Sequence, residues 1–480
     1  MRSGFALACM SLVLAAAAAC ATSSDDESFL TPDASAPIPP PPPSVDADSG
    51  PVRDGAAPTF SPCSAAGWCI TPLPDPDLTL KDIRPFEHRA FAIAESPAFG
   101  VKVLEWDDVG DKWAYIDDNS QNTYELSAYA GKIWAPNENE LYYAVAPGVV
   151  YHGKRVAPGS PWAWTRSRLD DSRVVSNDKH DPGVAEYSNR YEAPPVKTTA
   201  LGVWGTSESD VYAWYANTIF HLEKDGSGKD VWVIDHVLED PDNPEDTFFV
   251  FNATGSGPDD VWFSVGRGRY DATGLFACPA AVRKSDEGYR RVLDHTINPQ
   301  DTWSHYGDSC QPKPDALSFT TGIYIEALPE LGFFPVPWPH GGWLSHIESA
   351  GPGSVVGISG GKYFAYLTTA DGGSAQLNHT YVEVPASDVP TLSSVWIHDS
   401  EVWLSGWGLI LRTGNEPAKW NTGLGLYPPD HHNPFDGATF SVSTTVLNGS
   451  PLDRPLQVRG TSNTNLWAIG PRYALHKTTP

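Results

Sequence analysis

Basic residues are scarce in this chain: 32 Lys and Arg stand against 59 Asp and Glu, a formal net charge of −27 over 480 residues. With no basic surplus to displace counterions from phosphates, the composition argues against nucleic acid as a partner. It equally argues against docking on an anionic membrane through a polybasic patch. No Cys-x-x-Cys pair occurs, which weighs against the common zinc frameworks. No Gly-rich turn is followed by Lys-Ser or Lys-Thr, so a phosphate-cradling loop is missing. No Ser or free Cys stands with His and Asp at a recognisable spacing for nucleophilic catalysis.

Apolar runs are short as well. The N-terminal one, from Phe5 to Ala19, has 15 residues and fits a secretory signal better than a bilayer span. Ala17-Ala18-Ala19-Cys20 resembles the lipobox of bacterial lipoproteins, in which the Cys is lipidated and becomes the new N-terminus. Residues 1–19 then form the signal, and Cys20 carries the lipid. Ala21, in place of Asp, implies the outer membrane by the same resemblance. An ordinary signal peptide, cut after Ala19 or a little later, leaves a secreted or periplasmic protein instead. Residues 20–58 are rich in Pro, Ser and Asp, with five prolines from Pro39 to Pro43. Too few apolar residues are present there to bury a core, so this segment reads as a disordered, semi-rigid tether. Four further cysteines lie beyond the signal: Cys63, Cys69, Cys278 and Cys310. An even number in an exported chain predicts two disulfides. Three pairings are possible; proximity favours Cys63–Cys69 and hence Cys278–Cys310.

Eighteen Trp, 44 Pro and 42 Gly point to many short strands joined by tight turns. The chain also repeats itself. Val203-Trp204-Gly205-Thr206-Ser207 leads through Asp210-Val211-Tyr212-Ala213-Trp214 to His221, and Val458-Arg459-Gly460-Thr461-Ser462 leads through Asn465-Leu466-Trp467-Ala468 to His476. In both copies the His stands 18 positions after the Val. Weaker copies start at Ile133, Ala253, Ile347 and Val395. Second strands begin at 141, 211, 261, 355, 402 and 466, and the 94-residue gap after 261 predicts a degenerate unit near Ser318–Trp338. Periods of about 40–50 residues mark a β-propeller. The second strands are apolar at both parities, as strands buried between neighbouring blades must be.

The expected fold is all-β: a seven-bladed β-propeller over residues 91–480, with six blades as the alternative, preceded by a Cys-containing lead-in at 59–90. An N-terminal strand or hairpin should complete the last blade. The hairpin Val101–Asp107 with Lys112–Asp118 is the candidate for that clasp. The Val-Trp-Gly-x-Ser-x-x-Asp-Val-Tyr/Trp-Ala unit resembles the repeat of bacterial exported β-propeller lipoproteins, a group mostly without assigned function. The resemblance covers roughly residues 120–480.

Candidate chemistry is sparse. His152, His221 and His476 share one repeat position, with Arg412 in another copy, and a structural role follows from that equivalence. Asp430, His431, His432 and Asp436 form the densest set of possible metal ligands. Adjacent His residues on an extended chain point opposite ways, however, so no cofactor is expected and a divalent metal is the alternative. The acidic run Asp240–Asp246 reads as an exposed loop rather than a calcium site. Trp134, Trp204, Trp262, Trp396, Trp403 and Trp467 recur in the repeat and should pack between blades.

Units differ most in the links from one outer strand to the next inner strand, at about 169–200, 237–249, 290–345 and 421–455. These hold Tyr187, Tyr191, Trp303, His305, Tyr306, Tyr427, His431 and His432, and long loops on a rigid scaffold commonly carry function. The expected function is that of a monomeric, lipid-anchored surface module. It would present one acidic, aromatic loop face to a protein or glycan partner, touching the membrane only through its N-terminal lipid. A propeller hydrolase or lyase acting on polysaccharide is one alternative, because paired carboxylates meet only in three dimensions. A non-catalytic envelope scaffold is the other.

Overall fold

The computed structural model describes residues 63–122, 129–145, 148–169, 200–270, 274–297, 310–314, 316–317, 323–328, 332–335, 344–359, 361, 363–369, 375–382, 392–399, 401–406, 408–413, 440–443, 445–447 and 457–479. Seven antiparallel sheets form the ring of a seven-bladed β-propeller. Their first strands are Thr79–Pro85, Ala130–Asn137, Leu201–Ser207, Thr247–Gly257, Leu344–Gly351, Ser394–His398 and Gln457–Ser462. Each lies beside the first strand of the next blade, and the seventh lies beside the first, so these strands surround the axis. The second strands are buried on both faces, as in Val211–Tyr215 and Leu141–Val145.

Closure comes from the N-terminus, through a different segment from the expected hairpin. Trp68–Thr71 pairs with Tyr473–Lys477 as the outer strand of blade seven. Gly100–Asp107 and Lys112–Tyr115 are instead the third and fourth strands of blade one. The ring therefore reaches back through most of the lead-in, to Trp68. Cys63–Cys69 fastens the clasp to the chain before it, and Cys278–Cys310 forms the second disulfide. Blade one also answers the gap in the repeat. Among the described residues no separate unit stands at 318–338; Ile323–Leu328 and Gly332–Pro335 form a hairpin that extends the sheet of blade four.

The Trp-Gly pair makes the joint between blades. A Cβ on Gly205 would lie 2.9 Å from Trp134 Cη2 of the preceding blade. On Gly255 it would lie 3.0 Å from Trp204, and on Gly460 3.1 Å from Trp396. Each indole occupies the space that glycine leaves open in its neighbour.

A second device recurs inside blades. The acid opening the second strand bonds the base on the third, beneath a shared aromatic. Glu140 pairs with His152 at 2.7 Å, Asp210 with His221 at 3.0 Å, Asp260 with Arg283 at 2.8 Å and Glu401 with Arg412 at 2.8 Å. In blade seven, Asn465 accepts from His476 Nε2 at 2.9 Å. The aromatics are Tyr142, Tyr212, Trp262, Trp403 and Trp467. The repeated histidines are thus internal fastenings of their own blades.

Candidate functional site

Strands alternate in direction, so the turns between first and second strands, and between third and fourth, lie at one end of the ring. The links from blade to blade lie at the other. At this link end blade four is longer than the rest. Its first three strands have 11, 11 and 12 residues, whereas the second strand of blade three has 6. Five extra residues extend a strand by about 16 Å.

That extension is held by a buried charge network. Arg267 has no exposed surface and bonds Asp240, Asp246 and Asp294, with 2.6 Å to Asp246 and 3.1 Å to Asp294. Lys313 reaches Asp240 at 2.5 Å, and Arg269 reaches Asp246 at 2.5 Å. Burial alone would raise the Asp240 carboxyl, but Lys313 and Arg267 hold it well below the usual range. The acidic run at 240–246 is an exposed loop only in part: Pro241, Asp242, Pro244 and Glu245 are exposed, whereas Asp240 is 4% and Asp246 8% exposed. The carboxylates of Asp240 and Asp246 are committed to Arg267, Arg269 and Lys313. Nearby, Cys278–Cys310 ties the next link to the third strand of the blade, beside the short ladder of His295–Ile297 with Cys310–Pro312. Two consecutive links are thus pinned at one place.

Trp303, His305 and Tyr306 fall between the two strands of that ladder and lie outside the described residues. Tyr427, Asp430, His431, His432 and Asp436 also lie outside them, as do Tyr187, Tyr191 and Cys20. The flanks still carry information. Residues 414–439 leave the third strand of blade six, Leu409–Thr413, and return as its fourth, Phe440–Val442. Their flanks therefore stand at the turn end, opposite the flanks of 298–309. A single face combining both groups does not follow from the topology.

The axis holds a charged cluster that the sequence reading passed over. By register, Arg84, Glu348 and Arg459 occupy the position that is Trp134, Trp204 or Trp396 in other blades. Two residues earlier stand Asp82, Lys132 and His346. Arg459 Nη2 lies 2.6 Å from His346 Nε2 although blade six stands between their blades, a contact possible only across the axis. Asp82 accepts from Gln457 at 2.8 Å and faces Lys132 at 3.9 Å. Asn252 Nδ2 lies 3.0 Å from His346 Nδ1. Burial pulls the Arg84, Lys132 and Arg459 pKa values down, against Asp82 and, for the arginines, Glu348. Burial, with Arg459 and Lys132 nearby, pushes His346 well below its usual value, and Nε2 accepts from Arg459, as only an unprotonated ring nitrogen can.

A third feature is a cleft of about 690 Å³ between blades one and seven, lined by Glu87, Trp106, Asp108, Asp111, Asn465 and His476 among others. Among the described residues, no group of three or more His, Cys, Asp or Glu is placed to hold a metal. The sequence does contain one Gly-x-Ser-x-Gly, Gly357 to Gly361. Ser359 there is 1% exposed and ends a second strand paired with Leu344 and Tyr363, so it is no nucleophile on a strand-to-helix turn.

No protein-family model matches the chain, and no curated protein does. Among solved structures it is similar to YCF48 from Cyanidioschyzon merolae, at 12% identity and a TM-score of 0.42 over 86% of this chain and 99% of that one. The Dos1 propeller gives 7% and 0.43 over 87% and 96%. Drosophila Plexin A, solved in complex with Semaphorin 1b, gives 9% and 0.38 over 87% and 88%.

Proposed function

We propose that the chain is an exported, lipid-anchored binding module of the outer membrane, which carries its propeller on the Pro-rich tether and offers the link end of blade four to a protein partner. The observation that carries this reading is the pinning of two consecutive links by the Arg267 network and by Cys278–Cys310. Links fixed in advance lose little freedom on binding, which raises affinity without new contacts. Oxidised cysteine pairs fit a compartment outside the cytosol, and Cys20 offers the attachment point for lipid.

The test has two arms. Cells fed a clickable fatty acid should label the wild-type protein and leave Cys20→Ala unlabelled; equal labelling of both sinks the anchor. Proximity crosslinking in intact cells, from a photoreactive residue at Gln311, should then yield one defined adduct that Arg267→Met weakens. A glycan array run in parallel, with polysaccharide turnover as its second readout, should stay negative. Turnover would move the reading to an enzyme.

A further inference from the structure

We infer that the axial channel is a binding site for a small carboxylate anion, gripped by Arg84 and Lys132. The site is distinct from the blade-four surface and stands or falls independently of it. Three cations, Arg84, Lys132 and Arg459, converge there with two carboxylates, Asp82 and Glu348, and with His346. Counted with both carboxylates ionised and the imidazole neutral, the cluster carries one net positive charge inside a strongly acidic protein, and burial that raises the Glu348 carboxyl makes it no less positive.

The cations are not equally occupied. The Arg459 guanidinium is spent on His346, on Ser394 Oγ at 2.8 Å and on the carbonyls of Val395 and Val458. Arg84, in contrast, makes one hydrogen bond, from Nε to the Ala135 carbonyl at 3.3 Å. Its two Nη groups have no partner among the described residues. Among the described residues, Lys132 has only the 3.9 Å approach to Asp82. Arg84 is half-buried, with its guanidinium 5.8 Å from the Phe86 ring centroid, so its free fork is open to water and to an anion that displaces that water. The channel also admits water at this depth: the side chains of Lys132 and Glu348 keep 18% and 28% of their surface. Charged groups that are enclosed, wet and incompletely paired are the ordinary makings of a polar ligand site.

The charge selects the ligand class. A planar carboxylate matches the fork of Arg84 in a bidentate pair, with Lys132 supplying a second, non-directional charge. One negative charge neutralises the cluster. A phosphate or sulfate dianion would overcompensate it beside Asp82 and Glu348, and a cation would meet Arg84 and Lys132 head on. The position in the repeat agrees. Of the four blades without Trp at the inter-blade joint, blade four has Thr254, and the other three place Arg84, Glu348 and Arg459, the residues that gather at the axis.

Isothermal titration of the exported protein, dialysed free of organic acids, tests this with the monocarboxylates acetate and lactate as probes and with sulfate and putrescine as counter-probes. Acetate and lactate should bind with one site per chain, and sulfate and putrescine should give no saturable heat. Arg84→Gln and Lys132→Gln should each weaken binding at least tenfold. Glu348→Gln removes a repelling charge and should tighten it several-fold, a direction that loss of folding cannot imitate. Absence of saturable binding by both carboxylates up to about 10 mM overturns the inference. So does equal binding of sulfate, or a Glu348→Gln variant with unchanged or weakened affinity.

Discussion

Arg89 and Glu105 hold each other at 2.7 Å in blade one, in the reverse of the order used elsewhere: the base opens the second strand, and the acid stands on the third. Phe91 pairs in register with Glu105, as Tyr212 does with His221. Glu105 serves a second partner too, accepting from both terminal nitrogens of Arg155 in blade two, at 2.7 and 2.9 Å. Arg155 is 8% exposed and lies over Trp162. Glu105→Ala should therefore lose about 3–5 kcal/mol, because it strands a buried guanidinium. Chemical denaturation checks this, and adding Arg155→Met to the variant should recover part of the loss.

Trp68 carries the clasp. It is fully buried, meets Trp403 edge-on at 6.0 Å and donates from Nε1 to Ser443 at 2.9 Å. Trp68→Ala should lower stability by about 3–5 kcal/mol. Calorimetry should show one transition moved to lower temperature; a separate early transition would mean that the blades melt independently.

Gly255→Ala tests the joint between blades. The new methyl would press on the Trp204 indole and on the Asp260 carbonyl, at 3.0 and 2.3 Å. A loss of about 1–3 kcal/mol is expected. Trp204→Phe in the same chain should return part of it, as measured by thermal melting.

Two histidines give opposite responses to acid. Burial depresses His476 to about 4 from an ordinary value of 6.5. A depressed histidine stabilises the fold above 6.5, and that contribution, roughly 3 kcal/mol, is lost as pH falls toward 4. His221 is raised by its hydrogen bond to Asp210, so its contribution is lost as pH rises through its folded value. Between pH 7 and 4, His476→Gln should flatten the fall in melting temperature, and His221→Gln should steepen it.

Arg267→Met removes the centre of the blade-four network and leaves three carboxylates buried. A loss of about 3–5 kcal/mol is expected. Amide exchange should rise at 238–246 and 293–297 more than in blade two, where none of these contacts reaches.

Much of the ring was legible because its main signals are local. Buried second strands, Trp-Gly joints and the spacing to the third-strand His repeat along the chain. Blade one escaped because its pair is inverted: a pattern requiring an acid before the Trp or Tyr steps over Arg89-Ala90-Phe91. The missing unit was then sought at 318–338, where the strands belong to blade four. Blade six misled differently. Its fourth strand is only Phe440–Val442, three residues that carry no periodicity, so the insertion before it passed for a link. The axial cluster had a visible signal in the departures Arg84, Glu348 and Arg459 from Trp. Its meaning lies in which blades face each other across the ring, and spacing along the chain does not report that.

The clasp also dictates when this protein can become itself. Thr71 donates to the carbonyl of Ala474, 403 residues further on, so the strand made first waits for the strands made last. A fragment that stops short of Tyr473–Lys477 cannot close the circle, and the clasp strand then has no partner edge.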